Sequence, residues 1–239
     1  MTPSPHSNKI LSIHQPNYIP WLGYFYKIIH SDVFVFLDSV QYPRGQSFSA
    51  RNKVKTPNGP TWLTIPISVP EGQKGKASFL EVDFATDKWR KKHLRTLHMS
   101  YAKAPFYEEV REMIEPIISN ATSFVELNIS LIEKICEYLE IETKRIRLSN
   151  ILDEYGEKTQ LIIDICEAVN VDTYLSGTGG GKEYNNEDML NQHGIKLIYS
   201  DFKHPEYEQL WGDFESNMSI IDLLMNHGKN SRKILLDNK

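Results

Sequence analysis

The sequence predicts an α/β protein with a mainly parallel sheet, helices on both faces in Rossmann-like fashion, and a helical insertion in the middle of the chain. Three observations point there. Short apolar runs of strand length alternate with stretches of helical period. The run Val33-Phe34-Val35-Phe36-Leu37 is apolar throughout instead of alternating, as a strand covered on both faces is. Strand, helix and strand succeed one another within roughly thirty residues at the start of the chain, the spacing of a βαβ unit.

Composition sets the outer limits. With 239 residues, 40% of them hydrophobic and 24% charged, the chain fits one large α/β domain. Residues 1–8 read as a disordered tail and 9–239 as that domain. Net charge is −4, which calls for neither nucleic acid nor an anionic membrane. No run approaches the roughly 18–20 apolar residues of a membrane span. The polar, Pro- and Ser-rich start has no secretory-leader pattern. Cys136 and Cys166 fall in helical patterns without a CxxC, and are expected as buried free thiols of a reducing compartment. The expected location is cytoplasmic.

The first strand is expected over 9–14. Pro20 suits the first turn of a helix, where its missing N–H is not needed, so a helix follows over 21–30 and breaks at Ser31-Asp32. The second strand, 33–38, puts Asp38 on the same sheet edge as His14. Residues 39–55 form a polar segment that gathers Arg44, Arg51, Lys53 and Lys55, and Pro57-Asn58-Gly59-Pro60 marks a turn. Strands are expected at 62–67, with Pro66 at an edge or bulge, and at 80–84 beyond a Gly- and Lys-rich loop.

A helical period then dominates, and 86–144 reads as the insertion. One helix starts at Thr86 or Asp87 and runs to Tyr101; a second spans 104–118. A third is capped by Thr122 or Ser123, with Leu127, Leu131, Ile132, Ile135 and Leu139 on one face. Strand character resumes over 145–148, and Thr159–Val169 is helical again. A strand over 172–176 runs into Gly177-Thr178-Gly179-Gly180-Gly181-Lys182, followed by a helix that Gly194 stops. The last strand is 196–200. A closing helix spans 214–227, with Gly228 as its left-handed cap.

Three stretches carry side chains suited to chemistry. The first is the strand-to-helix turn with His14, Gln15, Asn17 and Tyr18, in the position where open α/β sheets bind ligands. The second is the glycine-rich turn after 172–176, a cradle for phosphate in which backbone N–H groups and a helix start favour an anion and Lys182 adds charge. It matches no named motif: a Walker A loop would need glycine at Ser176 and a hydroxyl at Glu183, and the dinucleotide fingerprint would need glycine at Lys182. The third is Arg51-Asn52-Lys53, two cations beside an amide, suited to a phosphate or carboxylate or else a solvated surface. No metal is expected. HExxH, EF-hand and Cys/His patterns are lacking, His93 and His98 lie about 140° apart around a helix, and His193, His204 and His227 are isolated. Ser176 lies in no GxSxG elbow and Cys166 has no neighbouring base, which argues against either as a nucleophile.

The opening Ile13-His14-Gln15-Pro16-Asn17-Tyr18-Ile19-Pro20-Trp21-Leu22-Gly23-Tyr24-Phe25 resembles that of the WbqC-like proteins. So do Asp38 with Gln41-Tyr42, the Arg51-Asn52-Lys53 triplet, the strand end Tyr174-Leu175-Ser176-Gly177 and the closing Ser219-Ile220-Ile221-Asp222-Leu223-Leu224. The resemblance runs from residue 9 to the last helix. The family's name comes from O-antigen gene clusters, which implies bacterial surface-polysaccharide (lipopolysaccharide) biosynthesis. Pro20-x-x-Gly23 after a first strand is also similar to the HIGH-type nucleotide-binding turn of pantothenate synthetase and its relatives, which activate a carboxylate with ATP and form an amide. Trp21, Leu22 and Tyr24 stand where that motif is expected, without its histidines.

Together these features point to an enzyme acting on a nucleotide-linked sugar, by acyl or aminoacyl transfer to the amine of an amino sugar. His14 is the expected general base, since an ordinary imidazole titrates near neutral pH; Asp38 orients it or holds the sugar. Gln15, Asn17, Tyr18, Gln41 and Asn52 are expected to bind substrate. Arg51, Lys53 and the phosphate-binding turn (Ser176, Gly177, Gly179, Gly180, Gly181, Lys182, Tyr184) are expected to hold phosphates or a donor carboxylate. An acyl donor or ATP is the co-substrate left open, and so is an oligomer. The rivals are a glycosyltransferase using a nucleotide sugar, and a non-catalytic sugar-binding or assembly protein of the same pathway.

Overall fold

The computed structural model describes residues 9–179 and 185–237. In chain order its elements are β1 (Ile10–His14), α1 (Leu22–Ile29), β2 (Val33–Phe36), β3 (Arg51–Thr56), β4 (Gly59–Thr64), β5 (Ile67–Ser68), β6 (Asp83–Phe84), α2 (Lys88–Tyr101), α3 (Tyr107–Asn120), α4 (Phe124–Tyr138), β7 (Lys144–Arg147), α5 (Thr159–Val169), β8 (Thr173–Ser176), α6 (Glu187–Gln192), β9 (Lys196–Tyr199), α7 (Ile220–His227) and α8 (Ser231–Leu236). Among the described residues no helix is long and apolar enough to cross a membrane.

The chain divides into two compact units. The first takes the chain up to Gln15, Tyr26–Asp38 and Glu142–Phe202; the second takes Pro16–Phe25, Ser39–Ile141 and the chain from Lys203. The segment expected as a helical insertion belongs to the second unit as far as Ile141.

The first unit is a five-stranded sheet in the order β7-β2-β1-β8-β9, with every pairing parallel. All four residues of β2 are buried, as its continuous apolarity required. Phe34 and Phe36 meet edge to face at 5.2 Å. On α5 the apolar face buries Ile162, Ile163, Ile165 and Cys166, and Asn170 ends the helix in a left-handed conformation. Both cysteines are buried and outside any disulfide; burial pushes the Cys166 thiol up to about 12, which leaves it unreactive.

The second unit departs from the sequence expectation in its strands. Residues 51–56, expected as polar loop, form β3, an antiparallel partner of β4. Its buried positions include Asn52 and Lys55 as well as Val54, so it carries no apolar alternation to read. The strand expected over 62–67 is two strands, because Pro66 has no N–H to continue the ladder. The strand expected at 80–84 opens as a 3₁₀ turn (Phe79–Glu81) and becomes strand only at β6. The closing helix begins at Ile220, not at 214: Asn217 has φ +58, and Ser219 is the N-cap. Gly228 has positive φ but an extended ψ of −137°, so it is not a left-handed helical cap. A side chain there would strike the Phe106 ring, and the chain continues past it into α8.

One turn in this unit is held with unusual thoroughness. Ile19 is β-branched, fully buried and has φ +36, a conformation that costs of order 1–3 kcal/mol. Its carbonyl accepts from the Asn52 amide at 2.8 Å and from the Ser219 hydroxyl at 2.7 Å. The next carbonyl, of Pro20, accepts from Ile220 N–H at 2.8 Å. Asn128 on α4 donates to Pro16 O and Ser49 O at 3.0 and 2.8 Å. Gly23 leaves the space into which the Trp21 indole folds. Further along, Asp222 on α7 is buried and accepts from Tyr101, Tyr207 and Gln209 at 2.7, 3.0 and 2.8 Å. The Lys55 ammonium donates to Gln209 at 3.1 Å.

Removing either donor at Ile19 is expected to destabilise the protein. Asn52→Ala and Ser219→Ala should each lower unfolding free energy by about 1–3 kcal/mol. Because both act on one carbonyl, urea denaturation of the double variant should depart from the sum of the two by at least about 0.5 kcal/mol.

Candidate functional site

In an open parallel sheet, ligands bind outside the carboxyl ends of the strands where the strand order reverses. Within this sheet the strands run 3-2-1-4-5 in order of appearance, so the reversal lies between β1 and β8. There the two strands part. They pair at Ile10–Thr173 and Leu11–Tyr174, while β1 stays paired with β2 as far as His14–Phe36 and β8 with β9 as far as Ser176–Tyr199. Beyond Leu11 the β1–β8 ladder ends, at the point where open parallel sheets form a ligand crevice.

The edges of that crevice are set by backbone alternation. The His14 carbonyl accepts from Leu37 N–H on the β2 side, so the Ile13 carbonyl faces the β8 side, into the crevice. Lys27 of α1 reaches it: Nζ donates to Ile13 O at 3.0 Å. Lys27 is buried, and desolvation brings its ammonium down to about 8.

His14 closes β1 and is half-buried. Its Nδ1 lies 3.0 Å from the Gln15 carbonyl; a carbonyl only accepts, so Nδ1 carries the proton and Nε2 is the basic nitrogen. Burial, and after it the Lys27 charge, lowers the imidazole to about 3. The expectation of an ordinary imidazole pKa is thus corrected: His14 is neutral through the physiological range. Asp38 is fully buried, and its carboxylate accepts from the backbone N–H and hydroxyl of Ser149 at 3.0 and 2.7 Å. Ser176, at the end of β8, is buried and accepts from the Asn185 amide at 2.9 Å. A Cβ at Gly177 or Gly179 would meet nothing within 4 Å among the described residues, and neither has positive φ.

Gly180, Gly181, Lys182 and Tyr184 lie outside the described residues. The helix after them, α6, is a single short piece, capped by its own Asn186 and carrying Glu187 and Asp188 in its first turn, charges that oppose an anion there. Among the described residues no group of His, Cys, Asp and Glu gathers as a metal site would.

The remaining expected site residues belong to the second unit. Asn17, Tyr18 and Asn52 are buried and engaged within the fold. Asn17 accepts from the Ser49 hydroxyl at 3.0 Å, and Asn52 holds Ile19. The Tyr18 hydroxyl meets His93 Nδ1 at 3.1 Å, while His93 Nε2 lies 3.2 Å from Thr64 O. His93 Nε2 therefore donates and Tyr18 O–H donates to Nδ1; burial keeps that imidazole neutral, at about 4. Gln41 is exposed, its amide donating to Gly75 O. Arg51 lies 4.1 Å above the Trp62 ring with Lys53 at 5.7 Å, and Trp62 and Phe48 are both exposed.

Sequence reasoning gave no role to Lys27, although it is the one charged side chain in the apolar stretch 21–29; that isolation was the available signal. For Ser149 and Asn128 no local signal exists, since their partners lie 111 and 112 residues away.

The model of the WbqC-like protein family matches residues 15–234. An uncharacterized protein of Mycobacterium tuberculosis is 35% identical over 225 residues, covering 92% of this chain and 94% of the relative. No solved structure matches.

The neutral imidazole gives a pH signature. His14 titrates at about 3 when folded and about 6.5 when unfolded, so between those values the unfolded chain binds more protons. Stability from this group is full above about 6.5 and is lost as pH falls toward 3. His14→Gln should flatten the fall of the urea midpoint over that window. Gly177→Ala, by contrast, should keep wild-type stability within about 1 kcal/mol at neutral pH.

Proposed function

The chain belongs to the WbqC-like protein family, and from that premise we propose that it is an enzyme of bacterial surface-polysaccharide biosynthesis that forms an amide on a nucleotide-linked amino sugar by acyl or aminoacyl transfer. The family's name supports the pathway. The observation that carries the chemistry is His14 at the switch point, its Nδ1 fixed as donor so that Nε2 is the proton acceptor.

In this reading the sugar amine attacks the donor's acyl carbon. As the N–C bond forms, the nitrogen becomes acidic and its proton passes to Nε2 of His14. Collapse of the tetrahedral adduct then expels the donor's leaving group and restores the carbonyl. A weakly basic imidazole takes that proton late, after bond formation has begun. Gln15 holds the ring through its carbonyl. Asp38, tied to Ser149, joins the ends of β2 and β7 on the same edge. Ser176 and the backbone at Gly177 and Gly179, where no side chain of the described residues crowds the approach, receive polar groups of the nucleotide sugar.

A second reading has one specific observation behind it. Phe48 and Trp62 are exposed aromatic rings 5.9 Å apart, flanked by Arg51 and Lys53. Such a surface suits stacking against a sugar ring and would serve a non-catalytic sugar-binding protein.

A thermal-shift screen against nucleotide-linked amino sugars, other nucleotide sugars, ATP, acyl-CoAs and amino acids separates them. A ligand at about a hundred times its Kd adds about 2.7 kcal/mol, roughly 5–10 °C for a chain of this size. The transferase reading expects a shift with a nucleotide-linked amino sugar, a further shift with an acyl donor or ATP, and at least a hundredfold loss of product formation in His14→Gln. Full turnover in that variant overturns it. A shift abolished only by Trp62→Ala, with no product from any donor, favours the binding protein.

A further inference from the structure

We propose that the Lys27 ammonium is the anion-receiving group of the β1–β8 crevice, taking an oxygen of a ligand phosphate. The inference rests on reading that crevice as the ligand site, and not on which group the protein transfers.

Placement is the first argument. Lys27 lies on α1, yet its Nζ reaches the Ile13 carbonyl, which faces the side where β1 and β8 have parted. The cation thus stands in the opening that the sheet order marks for a ligand. A lysine in the last turn of a helix ordinarily complements that helix's own carbonyls; this one turns away from them. The carbonyl of Lys27 itself is served by the Ser31 hydroxyl at 2.8 Å.

Incomplete pairing is the second. An ammonium has three N–H donors. Among the described residues Nζ has one partner, the Ile13 carbonyl, and no carboxylate. The side chain is 7% exposed. Buried cations are normally paired, since an uncompensated charge in a low dielectric is costly. Lys55, the other buried lysine among the described residues, shows the ordinary solution, with Gln209, Gly212 and Asp213 around its Nζ. Among the described residues two of the three Lys27 donors have no partner.

Chemistry of the surroundings is the third. The first turn of α6 carries two carboxylates and its own cap, so an anion is not drawn there. His14 feels Lys27 directly, because that charge is, after burial, what holds its imidazole low. An anion bound to Lys27 would offset the charge and make His14 a better proton acceptor in the occupied site than in the free protein.

The test uses the full chain and inorganic pyrophosphate at constant ionic strength, in isothermal titration and thermal denaturation, with Lys144→Met as a control on an exposed lysine of β7. Lys27→Met is expected to weaken pyrophosphate binding at least about tenfold, to raise the thermal midpoint of the free protein, because an unpaired buried charge is gone, and to lose the further rise on adding pyrophosphate; Lys144→Met should bind as wild type. Equal binding by Lys27→Met and wild type overturns the proposal. Should Lys27→Met fail to fold, the ¹⁵N resonance of the Lys27 ammonium in the wild-type protein decides: it moves on adding pyrophosphate if Lys27 receives the anion, and stays if Lys27 is only a strut. If nucleotide sugars shift wild type and Lys27→Met alike, the crevice stands and the role of Lys27 falls. If neither pyrophosphate nor any nucleotide sugar shifts wild type, the crevice reading itself fails.

Discussion

The carbonyl of Ile19 is the point on which the second unit depends. A β-branched residue does not enter the left-handed region unaided, and here two donors from distant parts of the chain, Asn52 of β3 and Ser219 at the start of α7, hold it there. Ser219 also caps α7 through its hydroxyl and donates its N–H to Lys53 O. One carbonyl thus gathers the opening turn, the Arg51-Asn52-Lys53 triplet and the closing helix. Three of the five sequence segments that carry the family resemblance meet at this clamp, so that part of the signature is accounted for by folding before any ligand is invoked.

The crevice in the first unit is built on the opposite principle. Its strands separate where they might have continued to pair, it buries a lysine with a single hydrogen bond, and it keeps an imidazole neutral close to that charge. Each choice gives up stability in a place where a hydrophobic alternative was open. Local inconsistency of this kind is expected where a chain serves something besides its own packing. The contrast between an over-determined turn and an under-paired crevice is what separates scaffold from candidate site in this molecule.

Most of the fold was legible from periodicity. Continuous apolarity in Val33–Phe36 announced a strand buried on both faces, and Thr159–Val169 was read with both ends correct, because its apolar residues recur at helical spacing. At β3 the reading failed because burial there is polar: the strand hides Asn52 and Lys55, whose partners come from elsewhere in the sequence. The site was legible in part. His14 and Ser176 could be set at strand ends from local pattern alone, but the order of the strands, and so the identity of the crevice between β1 and β8, follows from pairings that no local window contains. Likewise His14 is kept neutral by burial, and after it by the Lys27 charge, and neither its burial nor the reach of Lys27 to the end of β1 can be read from the linear sequence.

The reach of Ser219 to Ile19 spans 200 residues, and that has a consequence for how the polypeptide is made. Synthesis delivers the opening turn 200 residues before its second donor. A nascent chain therefore carries Ile19 through all of that elongation without the contact that completes its clamp. The segment that locks the turn is made long after the turn itself, so the second unit is expected to mature late in its own synthesis.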